Sequence, residues 1–358
     1  MAEAILLVGL GSIGRRHLQN LHLLYSQQHG QQQELPLLLV FRQSGAQRPK
    51  KEEVDHVPVI NVQSLDEAFS YHPSIAFICT PTQFHVDQAI SAAQHQCHLF
   101  IEKPLSNTFE GVEELYHLVK KHKLTTMIGC VLHFHPVIKK VEELLHQHAI
   151  GKVYHFAIEV GQYLPDWVPT KDYRESYRTK AEAGGVVLEL IHEIDYARFL
   201  FGDYDCITGL TGKQSSLDIQ VEDTAKMICR MKSGVLGTIS LDFLQQPFHR
   251  SVKIVGSQGI IIADLNKGEI TIERPIGVPE IIQLPSVQDR NAMYVEELRH
   301  FLDCVKRKQQ TSIPIEDGIQ SLAAALQVKQ GGAMQKMQNC HEGSHEGKHG
   351  CCGHCQES

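Results

Sequence analysis

At 358 residues, with 42% hydrophobic and 21% charged side chains and a formal net charge of −7, the chain has the make-up of a soluble globular protein with room for two cores. The acid excess argues against nucleic acid or an anionic membrane as a partner, and no apolar run nears the roughly 20 residues of a membrane-spanning helix. Ten cysteines are present, six of them standing singly (Cys79, Cys97, Cys130, Cys206, Cys229, Cys304) and four lying beyond residue 339. No basic leader precedes the first strand, so a reduced, cytoplasmic chain is the expectation.

Residues 4–8 (AILLV) read as a short buried strand, and Gly9, Gly11 and Gly14 follow at GxGxxG spacing before helical periodicity begins. A tight strand-to-helix turn leaves N–H groups free at the helix start, where they and the helix dipole attract a phosphate pair. Gly9 permits the turn, Gly11 the approach of a pyrophosphate, and Gly14 the close packing of helix on strand, with Ser12 and Ile13 between them. Residues 37–41, 59–62, 74–79, 98–101 and 124–129 are further predicted strands, separated by helical patterns at 65–71, 84–95 and 108–122. This alternation predicts an α/β domain over residues 1–130, a Rossmann-type doubly wound parallel sheet.

The pattern changes after Pro136. A helix over 137–148 leads into strand-like runs at 153–163, 206–213, 224–231, 235–243, 252–255, 260–264 and 269–273. Several alternate in polarity, which predicts an antiparallel meander with one face solvated or covered by a partner. Helices over 292–305 and 318–329 close a second, α+β domain spanning 131–330. Residues 331–358 are polar and glycine-rich and are expected to be disordered.

Three places carry candidate chemistry. The loop after the 74–79 strand, with Thr80, Pro81 and His85, lies where open α/β sheets bind ligands and suits a nicotinamide ribose. Glu102-Lys103-Pro104 ends the next strand, and Lys103 there is placed to donate to a substrate hydroxyl oxygen and assist its deprotonation. In the second domain Glu189, His192 and Asp195 recur every three residues, so on one helix they share a face. Carboxylates a turn either side would orient the imidazole and raise its basicity, as a general base requires.

Gly9-Leu10-Gly11-Ser12-Ile13-Gly14-Arg15-Arg16-His17, the proline-containing loop, Glu102-Lys103-Pro104, then Gly184-Gly185, Glu189, His192-Glu193-Ile194-Asp195 and Phe201-Gly202, in this order and spacing, resemble the glucose–fructose oxidoreductase/inositol dehydrogenase (Gfo/Idh/MocA) family. The resemblance covers about residues 4 to 330. It implies a Rossmann domain paired with an open-faced antiparallel sheet, with assembly into homodimers or homotetramers through that sheet. It also implies that Lys103 and His192 are the catalytic pair, that Glu189 stands where the family usually has a substrate-binding aspartate, and that the Lys103–Pro104 bond is cis.

More narrowly, Tyr163-Leu164-Pro165-Asp166-Trp167, Asp172-Tyr173-Arg174 and Tyr177 are similar to a branch associated with sugar or sugar-nucleotide metabolism. Rings that stack and charged groups that orient hydroxyls or phosphates suit such a substrate. Two departures stand out. The spacing from Glu189 to His192 is shorter by one than the family's usual interval, and Val131 and His133 replace an Asn and an Arg before Phe134-His135-Pro136.

The second strand ends at Arg42-Gln43-Ser44 with no acid to hold ribose hydroxyls, so Arg42 and Ser44 are read as partners of a 2′-phosphate, and NADP(H) as the cofactor over NAD(H). Beyond the core, Cys340, His341, His345, His349, Cys351, Cys352, His354 and Cys355 crowd soft-metal ligands at a spacing that fits no defined zinc module, so weak metal binding is expected there and none in the core. The resulting expectation is a hydride transfer between nicotinamide and a hydroxyl or carbonyl carbon of a sugar or sugar-nucleotide. The competing readings are reduction of an imine, enone or diol-derived carbonyl, and nucleotide sensing without turnover.

Overall fold

The apolar run Ala4–Val8 is β1, buried along its whole length near the middle of a seven-stranded sheet. A strand covered on both faces has no polar side to show, which is why its sequence is continuously apolar rather than alternating. The computed structural model describes residues 3–29, 35–42, 49–167, 172–180, 184–284 and 289–331. With β2 (Leu37–Phe41), β3 (Lys51–Val54), β4 (Val57–Val62), β5 (Ile75–Ile78), β6 (His98–Glu102) and β7 (Thr126–Gly129), the order is β3-β4-β2-β1-β5-β6-β7. The helices α1 (Ser12–His29), α2 (Leu65–Phe69), α3 (His85–Gln94) and α4 (Val112–His122) lie between successive strands. Strand order reverses at β1, so a crevice opens beside the carboxyl ends of β1 and β5.

One strand departs from the predicted parallel sheet. β3 pairs antiparallel with β4, through a two-residue turn in which Asp55 and His56 both take positive φ, 50° and 66°. That is the backbone a type I′ hairpin demands. Its sequence, Lys51-Glu52-Glu53-Val54, has no apolar run because it is an edge strand, which is why periodicity does not reveal it.

After α5 (Pro136–His146) the chain builds an eight-stranded sheet from β8 (Val153–Gly161), β9 (Tyr204–Gly212), β10 (Thr224–Met231), β11 (Leu236–Asp242), β12 (His249–Gly256), β13 (Gly259–Asp264), β14 (Glu269–Glu273) and β15 (Glu280–Gln283). The order is β15-β14-β13-β12-β8-β11-β10-β9, so the arrangement is not a plain meander. β8 sits in the middle, antiparallel to β12 but parallel to β11. The connection from β8 to β9 carries α6 (Gly185–Glu189) and α7 (His192–Phe201), and such a long crossover frees the chain to restart at the far edge.

Helices α8 (Arg290–Arg307) and α9 (Ile315–Lys329) return to the first domain. Asn20 on α1 exchanges side-chain hydrogen bonds with Asn291, and the amide of Ile128 in β7 donates to Ile313 at 2.9 Å. The dinucleotide-type sheet is therefore completed by residues from the end of the described chain. The six body cysteines are free thiols, all but Cys206 buried. No described helix is long and apolar enough to cross a membrane.

Candidate active site

A cleft of about 770 Å³ lies between the two domains. Its nucleotide end is the turn after β1. Gly9 takes φ +93°, and a Cβ there would meet the backbone of Cys79 at 2.8 Å; a Cβ on Gly14 would run into the carbonyl oxygen of Gly9. Gly11 faces open space. The first amides of α1 have no partner within the helix, so the turn presents N–H groups to a bare floor, a cradle that fits a pyrophosphate. Ser12, Ile13, Arg15, Arg16 and Arg42 line the same end.

Arg42 is held there by a carboxylate that the sequence did not reveal. Its Nη1 lies 3.1 Å from Oε2 of Glu52 on β3, and Asn61 donates to the same oxygen at 2.8 Å. Ser44 and the Cys- and His-rich segment from Cys340 to Cys355 lie outside the described residues. Among the described residues no group of His, Cys, Asp and Glu is arranged to hold a metal ion. Thr80, Pro81 and His85 line the cleft. His85 is buried between the carbonyl oxygens of Pro104, 2.9 Å from Nδ1, and Thr80, 2.8 Å from Nε2, so it splints the two loops together.

Glu102 and Lys103 do not form the surface pair that adjacency suggests. The Glu102 carboxylate is buried and meets Nε2 of His17 on α1 at 2.6 Å. It occupies space that a side chain at Gly129 would fill, since a Cβ there would lie 3.1 Å from it. Lys103 turns the other way, across the cleft, and its Nζ donates to the backbone carbonyl of Glu189 at 2.7 Å. The Lys103–Pro104 bond is cis.

That contact explains a departure from the single helix expected over residues 184–195. In a continuous helix the carbonyl of Glu189 would accept from the amide of Glu193. Lys103 takes that carbonyl instead, Leu190 moves to φ −100° and ψ 34°, and α6 ends at Glu189. The amide of Glu193 falls back on Leu190 at 3.4 Å, and α7 starts afresh at His192. The break separates the three residues read as one face. Glu189 and His192 line the cleft, whereas Asp195 is buried behind it, held by His133 at 2.6 Å and Ser321 at 2.8 Å.

Glu189 is the most heavily engaged group in the cleft. Nε of Arg178 lies 2.6 Å from its Oε1, the hydroxyl of Tyr177 donates to Oε2 at 3.4 Å, and Nζ of Lys103 is 3.7 Å from Oε1. Burial opposes its ionisation, but Lys103 and Arg178 outweigh burial and hold the carboxyl below its usual range. His192 has the opposite environment. Burial, and then the charges of Lys103 and Arg250, push its imidazole well below the usual histidine range. Its Nδ1 finds no partner among the described residues. Flanking carboxylates therefore do not raise its basicity, contrary to the expectation from spacing.

The aromatic segment divides. Trp167 and Tyr177 line the cleft, and Trp167 is fixed by its indole N–H donating to Gln162 at 3.1 Å. Tyr163, Tyr173 and Arg174 are not part of the lining: Tyr163 packs on the core, the hydroxyl of Tyr173 accepts from the amide of Asp218, and Arg174 is paired with Asp172 on the exposed surface. Arg178 is the arginine that enters the site, its guanidinium also lying over the rings of Tyr177 and Trp167.

Arg250 of β12 enters as well, and its signal was available in the pattern. It shares the inward phase of the strand with Val252 and Ile254, both fully buried, so a charge there is aimed inward. It contacts Glu193, whose Oε1 is 2.8 Å from Nε.

Two family profiles match in tandem. The oxidoreductase family with an NAD-binding Rossmann fold covers residues 4–130, and the GFO/IDH/MocA C-terminal domain covers residues 138–262. The chain belongs to the Gfo/Idh/MocA oxidoreductases. Among its relatives, an uncharacterized oxidoreductase of Bacillus subtilis, YrbE, is 26% identical over 90% of this chain and 92% of its own length. The myo-inositol 2-dehydrogenase of Thermotoga maritima is 25% identical over 90% of this chain and 94% of its own. A levoglucosan dehydrogenase solved in complex with NADH superposes with a TM-score of 0.75 at 17% identity, covering 92% of this chain and 97% of that one, which shows a common fold.

Proposed function

We propose that this oxidoreductase transfers a hydride between a nicotinamide dinucleotide and a carbinol carbon of a sugar or a related polyol. The observation that carries the reading is that Lys103, His192 and Glu189 line the same cleft as the glycine turn, so the groups that handle the hydroxyl stand beside the nucleotide's place. A relative matched over 94% of its length and named as a myo-inositol 2-dehydrogenase, and a scyllo-inositol 2-dehydrogenase matched over 66% of its length, support the substrate class. A bound nicotinamide supplies the hydride acceptor, or the donor in reverse. Lys103 donates to the substrate oxygen and stabilises the charge that oxygen gains. His192 is neutral in the cleft, the form that accepts the hydroxyl proton as the carbinol hydride departs. Glu189, fixed by Arg178 and Tyr177, accepts from neighbouring hydroxyls and holds the ring while Trp167 covers it.

The cofactor read from the sequence is NADP(H). Arg42 supports it, standing at the end of β2 among the lining residues together with Arg15 and Arg16. Association of copies is proposed through the face of the second sheet that carries Leu210, Ile228, Leu236 and Ile262, all exposed. The test of the activity is to incubate the protein with inositols and with free and nucleotide-linked sugars while following reduced-nicotinamide absorbance in both directions. Oxidation of at least one of them supports the reading. Tight nucleotide binding with no turnover of any would overturn it in favour of nucleotide sensing.

A further inference from the structure

We infer that the cleft selects a sugar bearing a carboxylate, and that Arg250 is the residue that recognises it. This rests on the sugar or polyol reading above and narrows it to acidic sugars. Three cations line the substrate end, Lys103, Arg178 and Arg250, against one carboxylate free of the nucleotide wall, Glu189. Glu189 is already engaged by Lys103 and Arg178, at 3.7 and 2.6 Å. Arg250 therefore meets the cleft without a countercharge on its surface.

Its remaining partner stands behind it. Glu193 is fully buried and approaches the inner nitrogen, Nε, at 2.8 Å. Among the described residues no hydrogen bond holds the two terminal nitrogens, and the side chain keeps 16% of its surface accessible. Nε faces the Glu193 carboxylate without a hydrogen bond to it, and the open terminal pair presents the fork that binds a carboxylate through two parallel N–H···O bonds. Burial pushes the Glu193 carboxyl up, and the charge of Arg250 opposes that rise.

Position favours a carboxylate on the sugar itself over a distant phosphate. Arg250 lines the same cleft as Lys103 and His192, so the anion it binds belongs near the reacting carbon. The diphosphate of a sugar-nucleotide hangs from the anomeric carbon and needs a longer basic track.

The experiment compares kcat/KM of the full chain for matched pairs, D-glucuronate against D-glucose and D-galacturonate against D-galactose, with glucose 6-phosphate as the phosphate arm and myo-inositol as a neutral polyol. Each uronate is expected to exceed its hexose by about tenfold or more, the worth of one charge-assisted bidentate contact. R250Q brings that ratio to about one whatever the absolute rates. R250Q with E193Q does the same without leaving a buried acid unpaired. Equal rates within each pair, a ratio that survives both variants, or preference for the sugar phosphate would overturn the inference. Turnover of inositol or hexoses with no uronate preference defeats only this inference, whereas no turnover of any sugar or polyol defeats the parent reading as well.

Discussion

Lys103 reaches the main chain of Glu189 before it reaches the carboxylate: Nζ is 2.7 Å from the carbonyl oxygen and 3.7 Å from Oε1. The ammonium thus ends one helix, sets where His192 begins the next, and lines the cleft beside both. Lys103→Met keeps length and apolar stem but removes the charge. Turnover is expected to fall by about 10²- to 10⁴-fold, the range for loss of an acid–base group. Nucleotide binding, followed by fluorescence titration, should persist, because the glycine turn and the arginines lie at the other end. Retained turnover would remove Lys103 from the chemistry.

Arg42 carries the cofactor prediction. Its guanidinium is fixed by Glu52 at 3.1 Å and lines the nucleotide end, which suits an added phosphate on the adenosine ribose. Arg42→Ala should weaken NADPH by about tenfold to a hundredfold, the worth of one charge-assisted contact, and change NADH by less than about threefold. Direct titration of the unaltered protein with both nucleotides is the sharper check. Tighter binding of NADH would reverse the assignment.

His135 predicts how stability responds to acid. Its Nδ1 accepts from the amide of Val137 and caps α5, which only an unprotonated nitrogen can do. Burial, then the charges of Arg250 and Arg290, lower its pKa to about 4. The unfolded chain therefore binds this proton first, near pH 6.5. Stability is complete above that value and is lost as the pH falls toward 4, by an amount on the order of 3 kcal/mol. His135→Asn keeps a capping oxygen and does not titrate. Urea unfolding at a series of pH values should show a shallower acid slope for the variant, and identical slopes would contradict the account.

Glu297 has the opposite sign. It is fully buried on α8, neither carboxyl oxygen has a hydrogen-bond partner among the described residues, and burial followed by the charge of Glu102 raises its pKa well above the usual value. A raised carboxyl contributes stability that is complete below the unfolded value, about 4.3, and is lost as the pH rises through the folded one. Glu297→Gln should accordingly gain on the unaltered protein as the pH increases. A difference that stays constant from acid to alkaline pH would show that this carboxyl does not titrate with folding.

What the sequence disclosed follows from where each element's partners lie. β1, β5 and β6 are buried on both faces, so their apolar runs stand out, and the glycine turn is legible because local backbone geometry alone requires it. The break after Glu189 is different in kind. It is imposed by Lys103 from 86 residues away, and nothing in the local pattern around Leu190 encodes it. The choice between Arg174 and Arg178 has the same origin. Each sits in a 3₁₀ turn capped by the residue two positions before it, and only tertiary placement decides which one faces Glu189. Arg250, by contrast, was legible as a charge in the apolar phase of β12.

The open face of the eight-stranded sheet supplies the last prediction. Register places Ile228, Thr238, Ala157, Lys253 and Ile262 in one row across five adjacent strands, all pointing the same way. Leu210 and Leu236 lie one pleat away on that face, with Leu210 82% and Ile228 59% exposed. Apolar side chains spread over neighbouring strands form a patch, and an extended patch on a sheet marks an interface. The five residues of this row are exposed and none lines the cleft, so a charge placed there does not disturb the core. Ile228→Glu, alone and with Ile262→Lys, should therefore reduce the particle to a single chain in light scattering while leaving the far-ultraviolet circular dichroism unchanged. The double variant places opposite charges with three strands between them, too far to neutralise one another, so reassociation is not expected. An unaltered protein that already runs as one chain would assign this face to solvent.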